Sequence, residues 1–441
     1  MKKYRIKGGN ELSGEVGISG SKNVVTKALI ASCLTDEEVV LENVPLISDF
    51  LIMIDLIKAI GGQVTLDGHS VRVQVKTITK NKIPLEIGAK VKTSSMFLAP
   101  LLVRSRQAHI PNPGGCRIGA RPIDRHIEGL EKMGASIGYA SEDGYFHAHT
   151  EGLVGAEYTF EKNTHTGTET LILAAVLAKG KTILKNAAQE PEIDDLIELL
   201  NKMGARVKRT EPRVIEIEGV EKLHGATHSI MADRNEAVTF AVISALTGGK
   251  IWMKNFSLSD MQAFLDVYEK AGGAYEEKDG AVRFYIPEQL VPVNVTTEPY
   301  PGFMTDWQGP WALLMTQAQG ESILHETIYE NRFMYVTELQ KMGAKLEQFT
   351  PEVDDPKQLY NFNYDPEKKY QQGLRIFGKT PLHNAVLNMY DLRAGATVVI
   401  ASLIANGKST IFGTEIVERG YEQFHERLQD LGAQVEVLEE E

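Results

Sequence analysis

The chain has 441 residues, more than one compact core usually holds, so two domains are expected. A hydrophobic content of 43% and a charged content of 24% exclude a disordered or fibrous chain, and the net charge of −12 gives no reason to expect nucleic acid as a partner. No apolar run approaches the roughly 20 residues of a membrane-spanning helix. Two cysteines, Cys33 and Cys116, form neither a disulfide framework nor a metal cluster, and the amino terminus lacks the apolar segment of a signal peptide; we therefore expect a cytoplasmic protein.

Six polar clusters each precede an apolar segment with the length of a helix. The clusters lie at residues 20–23, 90–93, 166–169, 233–236, 305–307 and 391–393. The sequence predicts helices after them over residues 24–34, 94–103, 170–178, 237–246, 308–317 and 394–405. Strand-like segments such as residues 38–41 and 181–184 follow these helices.

A second recurring feature is a helix end that stops at a glycine. The glycines are Gly61, Gly134, Gly204, Gly272, Gly343 and Gly432, which lie about 70 residues apart until the last interval. Glycine at this place indicates a residue in the left-handed conformation that ends a helix. The two features keep the same spacing, so the sequence predicts an α/β protein of six βαβαββ repeats, three in each of two domains.

The two ends of the chain complete this pattern. Residues 4–7 and 15–18 read as strands, and the sixth repeat lacks strand sequence at its end, so we expect the amino terminus to pair with the carboxy-terminal half. The longer last interval falls in polar, proline-containing sequence near residues 350–372, which we interpret as a surface insertion. The predicted domains are residues 22–231, and residues 1–21 together with 232–441.

The six helix starts are candidate anion sites, because unpaired N–H groups and the helix dipole favour negative charge there. Basic residues recur at these places as Lys22, Lys92, Arg234 and Arg393. The alternative, favoured for any single position, is that the polar residues are helix N-caps. The residues to which this alternative applies are Ser21, Thr168, Asp233 and Asp306.

The connection over residues 111–122 carries three prolines and three glycines, which is typical of a mobile lid. Cys116 lies in it between Gly115 and Arg117, where positive charge favours the thiolate; the alternative is an incidental surface thiol. Cys33, inside an apolar helix, is expected to be an inert core residue.

Several segments resemble the family of UDP-N-acetylglucosamine enolpyruvyl transferases. They are residues 20–23, the loop 113–124 with His126, residues 330–334, 391–393 and 418–422, and the resemblance spans the chain apart from the insertion. It implies a two-domain inverted α/β barrel with the active site in the cleft, and no metal or organic cofactor. The implied reaction transfers the enolpyruvyl group of phosphoenolpyruvate to the 3-hydroxyl of UDP-N-acetylglucosamine through a tetrahedral intermediate, the first committed step of peptidoglycan synthesis.

The resemblance also implies residue roles, which we state as expectations. Lys22, Arg121 and Arg419 bind phosphoenolpyruvate, and Cys116 is the lid thiol that protonates the methylene carbon and that fosfomycin alkylates. Asp306 accepts the proton of the sugar hydroxyl, assisted by Asn23, while Asp391 and Arg393 support the reacting groups. The remaining substrate-binding residues implied for the nucleotide, the sugar or their surroundings are Lys92, Arg121, Pro122, Asp124, Arg125, Lys162 and Ile328.

Some positions depart from the family pattern. Lys92 replaces a frequent arginine, Met96 an occasional tryptophan and Arg125 a usual aliphatic residue, and residues 163–169 replace a Ser-Val-Gly-type segment. His165 and Arg125 either contact the ligand or are solvated changes, and the second reading is favoured.

Two alternative functions are compatible with parts of the sequence pattern. One is the sister transferase that acts on shikimate 3-phosphate, whose diagnostic segments are absent here, and the other is a non-catalytic paralogue that binds nucleotide sugar and regulates wall synthesis. The presence of Cys116, Asp306 and Arg419 argues against the paralogue. The sequence sets no oligomeric state.

Overall fold

The computed structural model describes residues 2–112 and 122–439. These residues form two compact units, one comprising residues 20–112 and 122–231 and the other residues 2–19 and 232–439. We call them the first and second compact units; each contains its own hydrophobic core. No helix in the described ranges has both the length and the apolar character needed to span a bilayer.

The chain begins with two strands of the second compact unit, β1 (Lys2–Lys7) and β2 (Ser13–Gly17). The strands of the first compact unit follow: β3 (Val39–Glu42), β4 (Gln63–Asp67), β5 (Ser70–Gln74), β6 (Gln107–Pro111), β7 (Ala135–Ala140), β8 (Tyr145–Thr150), β9 (Glu157–Thr159), β10 (Lys181–Lys185), β11 (Arg206–Glu211), β12 (Val214–Glu218) and β13 (Thr227–Ser229). Its helices are α1 (Lys22–Ala31), α2 (Ser48–Ala59), α3 (Leu85–Gly88), α4 (Leu98–Ser105), α5 (Asp124–Lys132), α6 (His165–Ala175) and α7 (Pro191–Lys202), with 3-10 segments at Ser32–Leu34 and Lys92–Phe97.

The second compact unit then continues to the carboxy terminus. Its further strands are β14 (Lys250–Lys254), β15 (Ala274–Lys278), β16 (Ala281–Tyr285), β17 (Val295–Thr296), β18 (Glu321–His325), β19 (Lys345–Phe349), β20 (Gly373–Phe377), β21 (Val386–Asn388), β22 (Lys408–Phe412) and β23 (Gln434–Glu439). Its helices are α8 (Arg234–Leu246), α9 (Gln262–Lys270), α10 (Gln308–Met315), α11 (Val336–Lys341), α12 (Pro356–Leu359), α13 (Leu392–Ile404) and α14 (Phe424–Asp430), with 3-10 segments at Leu258–Met261, Thr305–Trp307 and Thr414–Arg419.

The sheets confirm the six predicted repeats within the described residues. The strand orders are β13-β3-β5-β4, β6-β8-β7, β9-β10-β12-β11, β2-β14-β16-β15, β17-β18-β20-β19 and β21-β22-β1-β23. In the four-stranded sheets the first two strands are parallel and the other neighbours are antiparallel. In the three-stranded sheet a parallel bridge between Lys82 and His109 stands where the others have a first strand.

The predicted pairing of the amino terminus with the carboxy-terminal half is confirmed. Strand β1 lies between β22 and β23 in the sheet, so it supplies the last strand of the βαβαββ pattern in the sixth repeat. Strand β2 pairs in parallel with β14. Tyr4 and Ile6 of β1 are buried while Arg5 between them is exposed, so the strand packs one face on the core.

The helix ends also follow the prediction. The six glycines that close the repeats, from Gly61 to Gly432, have φ between 87° and 105°, a conformation that glycine adopts without a Cβ penalty. Each stands just after the end of an outer helix and before a strand. Helices α1, α6, α8 and α13 start two to five residues before the predicted positions, because residues of the polar clusters form their first turns. Helix α10 starts at the predicted residue 308 and α4 starts at residue 98, each after a 3-10 segment that includes residues of the polar cluster.

The helices that begin at the polar clusters form the inside of each compact unit. Nearly every residue of α6, α8, α10 and α13 is buried, and so is α1 beyond its first two residues. A helix that is buried on all sides must lie within a core rather than on a surface. Partly exposed polar side chains occur in the first turns of α1 and α6, whereas the first-turn polar residues of α8, α10 and α13 are buried.

Candidate functional site

Three helix starts of the second compact unit contribute aspartates to one cluster. The Asp233 carboxylate accepts hydrogen bonds from backbone N–H groups at the start of α8, and the Asp391 carboxylate does the same for α13. Asp306 lies in the 3-10 turn before α10 and is not its N-cap residue. The N-cap interpretation is therefore right for Asp233 and wrong for Asp306.

The two candidates in the first compact unit differ. Ser21 occupies the N-cap position of α1, although its side chain makes no capping hydrogen bond, and the N-cap interpretation of Thr168 is wrong. Thr168 lies inside α6, whose cap is Thr164, and its hydroxyl instead accepts a hydrogen bond from the backbone N–H of Ala188. The Thr168 hydroxyl thus makes a tertiary contact, which the local sequence does not specify.

Two buried arginines connect the aspartates of the second compact unit. Arg332 donates a hydrogen bond to Asp306 and places Nη1 3.7 Å from the Asp391 carboxylate. Arg393 Nε lies 3.5 Å from Asp306 Oδ2, and its Nη2 lies 3.8 Å from Asp233. Asp306 is thus held between two guanidinium groups, which also span the starts of α8 and α13.

The surrounding charges stabilise both arginines in their charged form. Burial opposes the charge of Arg332, but Asp306, Asp391 and Glu326 more than compensate and raise its pKa above the ordinary arginine value. Burial likewise opposes the charge of Arg393, while Tyr421, Asp233 and Asp306 raise its pKa. The cluster therefore contains two permanent cations among several carboxylates.

Asp306 is the accessible carboxylate of this set. Its side chain is 23% exposed, whereas those of Asp233 and Asp391 are 2% exposed. Asp391 Oδ2 and Arg393 Nη1 are buried and make no hydrogen bond to any described residue. Buried polar atoms are normally paired, so these two atoms retain capacity for a ligand or a further residue.

Glu326 connects the segment that contains Asp306 to the turn at residues 326–329. Its buried carboxylate accepts hydrogen bonds from the Thr305 hydroxyl at 2.9 Å and from Gln308 Nε2 at 2.5 Å. It also accepts from the backbone N–H groups of Ile328 and Tyr329 at 2.7 and 3.0 Å. Burial raises the pKa of Glu326, although Arg332 and these donors oppose that rise.

In the first compact unit, Lys22 begins α1 and places its ammonium 3.1 Å from Asp49, which lies in the first turn of α2. The Lys22 side chain is 19% exposed and the Asp49 side chain 7%, so the cation is accessible while its partner is buried. Asn23 is partly exposed, and its backbone carbonyl accepts a hydrogen bond from Lys27. An accessible lysine at a helix start is suited to binding an anion.

Two cationic side chains, Lys92 and Arg125, lie near His126 on α5. The imidazole is buried and hydrogen-bonds through Nε2 to the Thr166 hydroxyl at 3.0 Å. Burial, together with the positive charges of Lys92 and Arg125, lowers the pKa of His126 to about 3. His126 is therefore neutral at physiological pH, and half-buried Lys92 and Arg125 supply positive charge beside it.

The interpretation of His165 as a solvated change is wrong. His165 lies in the first turn of α6 with its side chain 23% exposed, and its Nε2 is 3.3 Å from the carboxylate of Glu169, one helical turn away. Glu169 is fully buried and is also 3.5 Å from Lys27 Nζ of α1. Residues 163–169 thus form part of a buried ionic cluster that joins α6 to α1.

This cluster gives a prediction for stability against pH. Burial alone would lower the pKa of His165, but Glu169 raises it above the ordinary histidine value. A raised pKa stabilises the folded state below the unfolded value of about 6.5, and that contribution disappears as pH rises through the folded value. We expect His165→Gln to reduce the free energy of unfolding near pH 6 by about 1 kcal/mol and progressively less towards pH 9.

Denaturant unfolding of the native chain and of His165→Gln across this pH range tests the prediction. His149→Gln is the matched control, because that histidine pairs with exposed Glu151 and its side chain is 52% exposed. A His165→Gln destabilisation that stays constant from pH 6 to pH 9 would contradict the assignment.

The remaining predicted site residues fall in both compact units. Ile328 in the turn at 326–329 is partly buried, as are Arg419 at the end of the Thr414–Arg419 segment, Lys162 and Asp124, while Pro122 is exposed. Cys116 and Arg121 lie outside the described residues.

Cys33 is fully buried, and burial raises the pKa of its thiol to about 12, in agreement with an inert core cysteine. No group of three or more potential metal ligands occurs among residues 2–112 and 122–439.

Four residues in these clusters received no role from the sequence: Asp49, Glu169, Glu326 and Arg332. For Glu169 a signal was available, because histidine and glutamate four residues apart face one another on a helix. For the other three, the partners lie in different elements, so their spacing along the chain carries no comparable information.

Comparisons with known proteins agree with this architecture. The family model described as EPSP synthase (3-phosphoshikimate 1-carboxyvinyltransferase) matches residues 6–428. A UDP-N-acetylglucosamine 1-carboxyvinyltransferase of Acidobacterium capsulatum is 41% identical over 99% of this chain and 96% of the relative. The enzyme with the same name from Koribacter versatilis is 39% identical over 100% of this chain and 97% of the relative.

A solved structure shows the same fold at lower identity. The enolpyruvyl transferase NikO from Streptomyces tendae superposes with a TM-score of 0.86 at 22% identity, covering 99% of each chain. This likeness confirms the predicted enolpyruvyl transferase fold.

Proposed function

The chain belongs to the EPSP synthase family of carboxyvinyltransferases, and from that premise we propose that it transfers the enolpyruvyl group of phosphoenolpyruvate to the 3-hydroxyl of UDP-N-acetylglucosamine, with release of phosphate. The full-length relatives at about 40% identity carry the name of this activity rather than that of the shikimate enzyme. In cells that build peptidoglycan, this reaction is the first committed step of its synthesis. The cytoplasmic location expected from the cysteines is part of the same proposal.

The observation that carries the chemical proposal is the environment of Asp306. It is a partly exposed carboxylate fixed by two buried arginines, in a unit whose other helix-start aspartates are occupied as caps. Opposite charges at this range favour the ionised form of a carboxyl group. Asp306 can therefore accept the proton of the sugar hydroxyl. The two arginines hold its carboxylate in one orientation, as proton transfer to a positioned base requires.

The proposed reaction has two stages. In the addition stage the 3-hydroxyl oxygen bonds to C2 of phosphoenolpyruvate, its proton passes to Asp306, and the methylene carbon C3 gains a proton from an acid, which we assign to Cys116. In the elimination stage C3 returns a proton to the Cys116 thiolate that the addition left, and the C2–O bond to phosphate breaks, which leaves the enolpyruvyl ether. Asp391 and Arg393, whose Oδ2 and Nη1 atoms have no described partner, support the reacting groups.

Substrate binding is assigned separately within each compact unit. In the first, Lys22 and Arg121 bind phosphoenolpyruvate, with Asn23 beside Lys22. In the second, Arg419 also binds it; guanidinium groups suit this task because they can grip an oxyanion with two hydrogen bonds. The remaining residues assigned to the sugar nucleotide and its surroundings are Lys92, Arg121, Pro122, Asp124, Arg125, Lys162 and Ile328.

Phosphate release with different acceptors tests the function. We expect release from phosphoenolpyruvate that requires UDP-N-acetylglucosamine and that does not occur with shikimate 3-phosphate. Release with shikimate 3-phosphate alone would identify the sister activity. Tight binding of UDP-N-acetylglucosamine without phosphate release would indicate the non-catalytic paralogue instead.

The role of Cys116 gives a further prediction. We expect Cys116→Ala to reduce kcat by about 10²–10⁴-fold, the usual contribution of a positioned general acid. Cys33→Ala is the matched control: its buried thiol has a raised pKa and should be dispensable for turnover. Fosfomycin should add covalently to the native chain and to Cys33→Ala but not to Cys116→Ala, as measured by intact mass. Near-native kcat in Cys116→Ala would reject the assigned role.

A further inference from the structure

The insertion at residues 350–372 occupies one hairpin turn of the fifth repeat. It connects β19 to β20, whereas two residues make the corresponding turn between β4 and β5, between β11 and β12 and between β15 and β16. Long loops within a compact unit usually have a function. The activity proposed above gives this segment no role.

The insertion is partly packed rather than fully solvated. Tyr360 and Phe362 are 3% and 6% exposed, and their rings stack with centroids 5.0 Å apart. Tyr364 and Tyr370 extend the same aromatic cluster, with ring centroids 5.2 Å apart. The Tyr360 hydroxyl lies 3.2 Å from Nε2 of His325, the last residue of β18. The packing places the insertion against the residues that lead into the turn at 326–329.

Direct hydrogen bonds then connect the insertion to that turn. Gln372 is 1% exposed, and its Nε2 donates to the carbonyls of Glu326 and Tyr329 at 2.8 and 2.9 Å. The backbone N–H of Asn361 donates to the carbonyl of Thr327 at 2.8 Å. Three carbonyl groups of the turn therefore have their partners in the insertion.

Three of the four N–H groups of the same turn have acceptors outside the insertion. The Glu326 carboxylate accepts from those of Ile328 and Tyr329, and the Thr297 hydroxyl accepts from that of Thr327. The N–H of Glu326 donates to the carbonyl of Gln372. These hydrogen bonds give the turn a defined shape. The insertion supplies the donors to three of its carbonyl groups and the acceptor for the N–H of Glu326.

We propose that the insertion is a brace that positions the turn at 326–329 for the sugar nucleotide, with Gln372 as its principal positioning residue. This inference rests on the proposed function, because it takes Ile328 to contact UDP-N-acetylglucosamine. Gln372 does not itself touch the substrate. Without the Gln372 side chain the turn becomes mobile and must be ordered when UDP-N-acetylglucosamine binds. The affinity for this substrate therefore falls, while the chemical step is retained.

The test compares two neighbouring glutamines. Gln372→Met keeps the length of the side chain and removes both hydrogen bonds, and Gln371→Met makes the same change at an exposed position. We expect Gln372→Met to raise the dissociation constant of UDP-N-acetylglucosamine about tenfold, as measured by calorimetry. The loss of hydrogen bonds of this kind typically changes an equilibrium constant by about a factor of ten. The KM of phosphoenolpyruvate and kcat should stay within about twofold of the native values, and Gln371→Met should match the native chain throughout.

The design separates failure of the brace from failure of the proposed function. Ile328→Ala should also weaken UDP-N-acetylglucosamine; if it does not, the assigned place of Ile328 is wrong. If Ile328→Ala weakens the ligand but Gln372→Met does not, the brace is overturned. An equal loss of kcat and of affinity for both substrates would also overturn it, because that outcome indicates general structural damage. Should Gln372→Met fail to fold, Gln372→Asn is the milder variant, because it keeps an amide but shortens its reach.

Discussion

Asp306→Asn is expected to reduce kcat for phosphate release by about 10²–10⁴-fold while leaving the affinity for both substrates within a few-fold of native. Asparagine can still accept the hydrogen bond that Arg332 donates, so the position of the side chain is retained. What is lost is the basic carboxylate that takes up the hydroxyl proton during addition. Steady-state phosphate release at saturating substrate concentrations measures the effect on kcat.

A second aspartate of the chain provides the control for this change. Asp194 Oδ1 accepts hydrogen bonds from Nη2 and Nε of Arg209 at 2.7 and 2.9 Å, and the Asp194 side chain is 53% exposed. Asp194→Asn therefore removes a carboxylate with an arginine partner away from the candidate site, and we expect native kcat. An Asp306→Asn variant with kcat within twofold of native would show that Asp306 is not the base.

Arg332→Met is expected to lower the free energy of unfolding by about 3–5 kcal/mol, the cost of leaving buried charges without their partner. The Arg332 side chain is 5% exposed and lies between Asp306 and Asp391. Without it, Asp391 loses a nearby positive charge in a position that is 2% exposed. The stability of the second compact unit therefore depends on the same residue that holds Asp306.

Arg375→Met is the matched comparison for Arg332→Met. Arg375 also lies between two carboxylates, 2.9 Å from Glu321 and 3.6 Å from Glu347, but its side chain is 37% exposed. Surface ion pairs contribute little, so we expect a loss of under about 1 kcal/mol. Chemical denaturation of both variants measures the difference, and equal losses would show that burial does not set the importance of Arg332.

The repeat architecture could be predicted because its signals are local and recur. The glycines after the outer helices, such as Gly134 and Gly343, are needed for a left-handed backbone conformation that few other residues adopt. The place of β1 in the sixth sheet followed from the same regularity, since one repeat lacked a strand and the amino terminus supplied one. Neither conclusion required knowledge of side-chain contacts.

The ionic clusters could not be predicted from local sequence signals in the same way. Arg332 and Asp391 are far apart along the chain, and only the fold brings them to 3.7 Å. The N-cap interpretation of Thr168 and Asp306 failed for the same reason, because a tertiary partner can compete with the local cap. His165 and Glu169 are the exception, since their spacing of four residues on a helix was visible in the sequence.

The insertion illustrates a partial prediction. Its position was indicated by the longer last interval, and several of its charged residues are exposed as a surface segment requires. Its packed part was not predicted, although Tyr360, Phe362 and Tyr364 alternate along the chain and their rings stack in the structure. The hydrogen bonds of Gln372 to the turn at 326–329 depend on how the hairpin closes, which composition does not reveal.

The most direct test of the proposed function is the identity of the product. The native chain would be incubated with UDP-N-acetylglucosamine and phosphoenolpyruvate labelled with ¹³C at C2, and the nucleotide sugar examined by NMR. We predict a new nucleotide sugar whose labelled carbon couples through oxygen to the proton on C3 of the sugar, with one phosphate released for each molecule formed. Unchanged phosphoenolpyruvate beside bound but unmodified UDP-N-acetylglucosamine would contradict the proposed transfer.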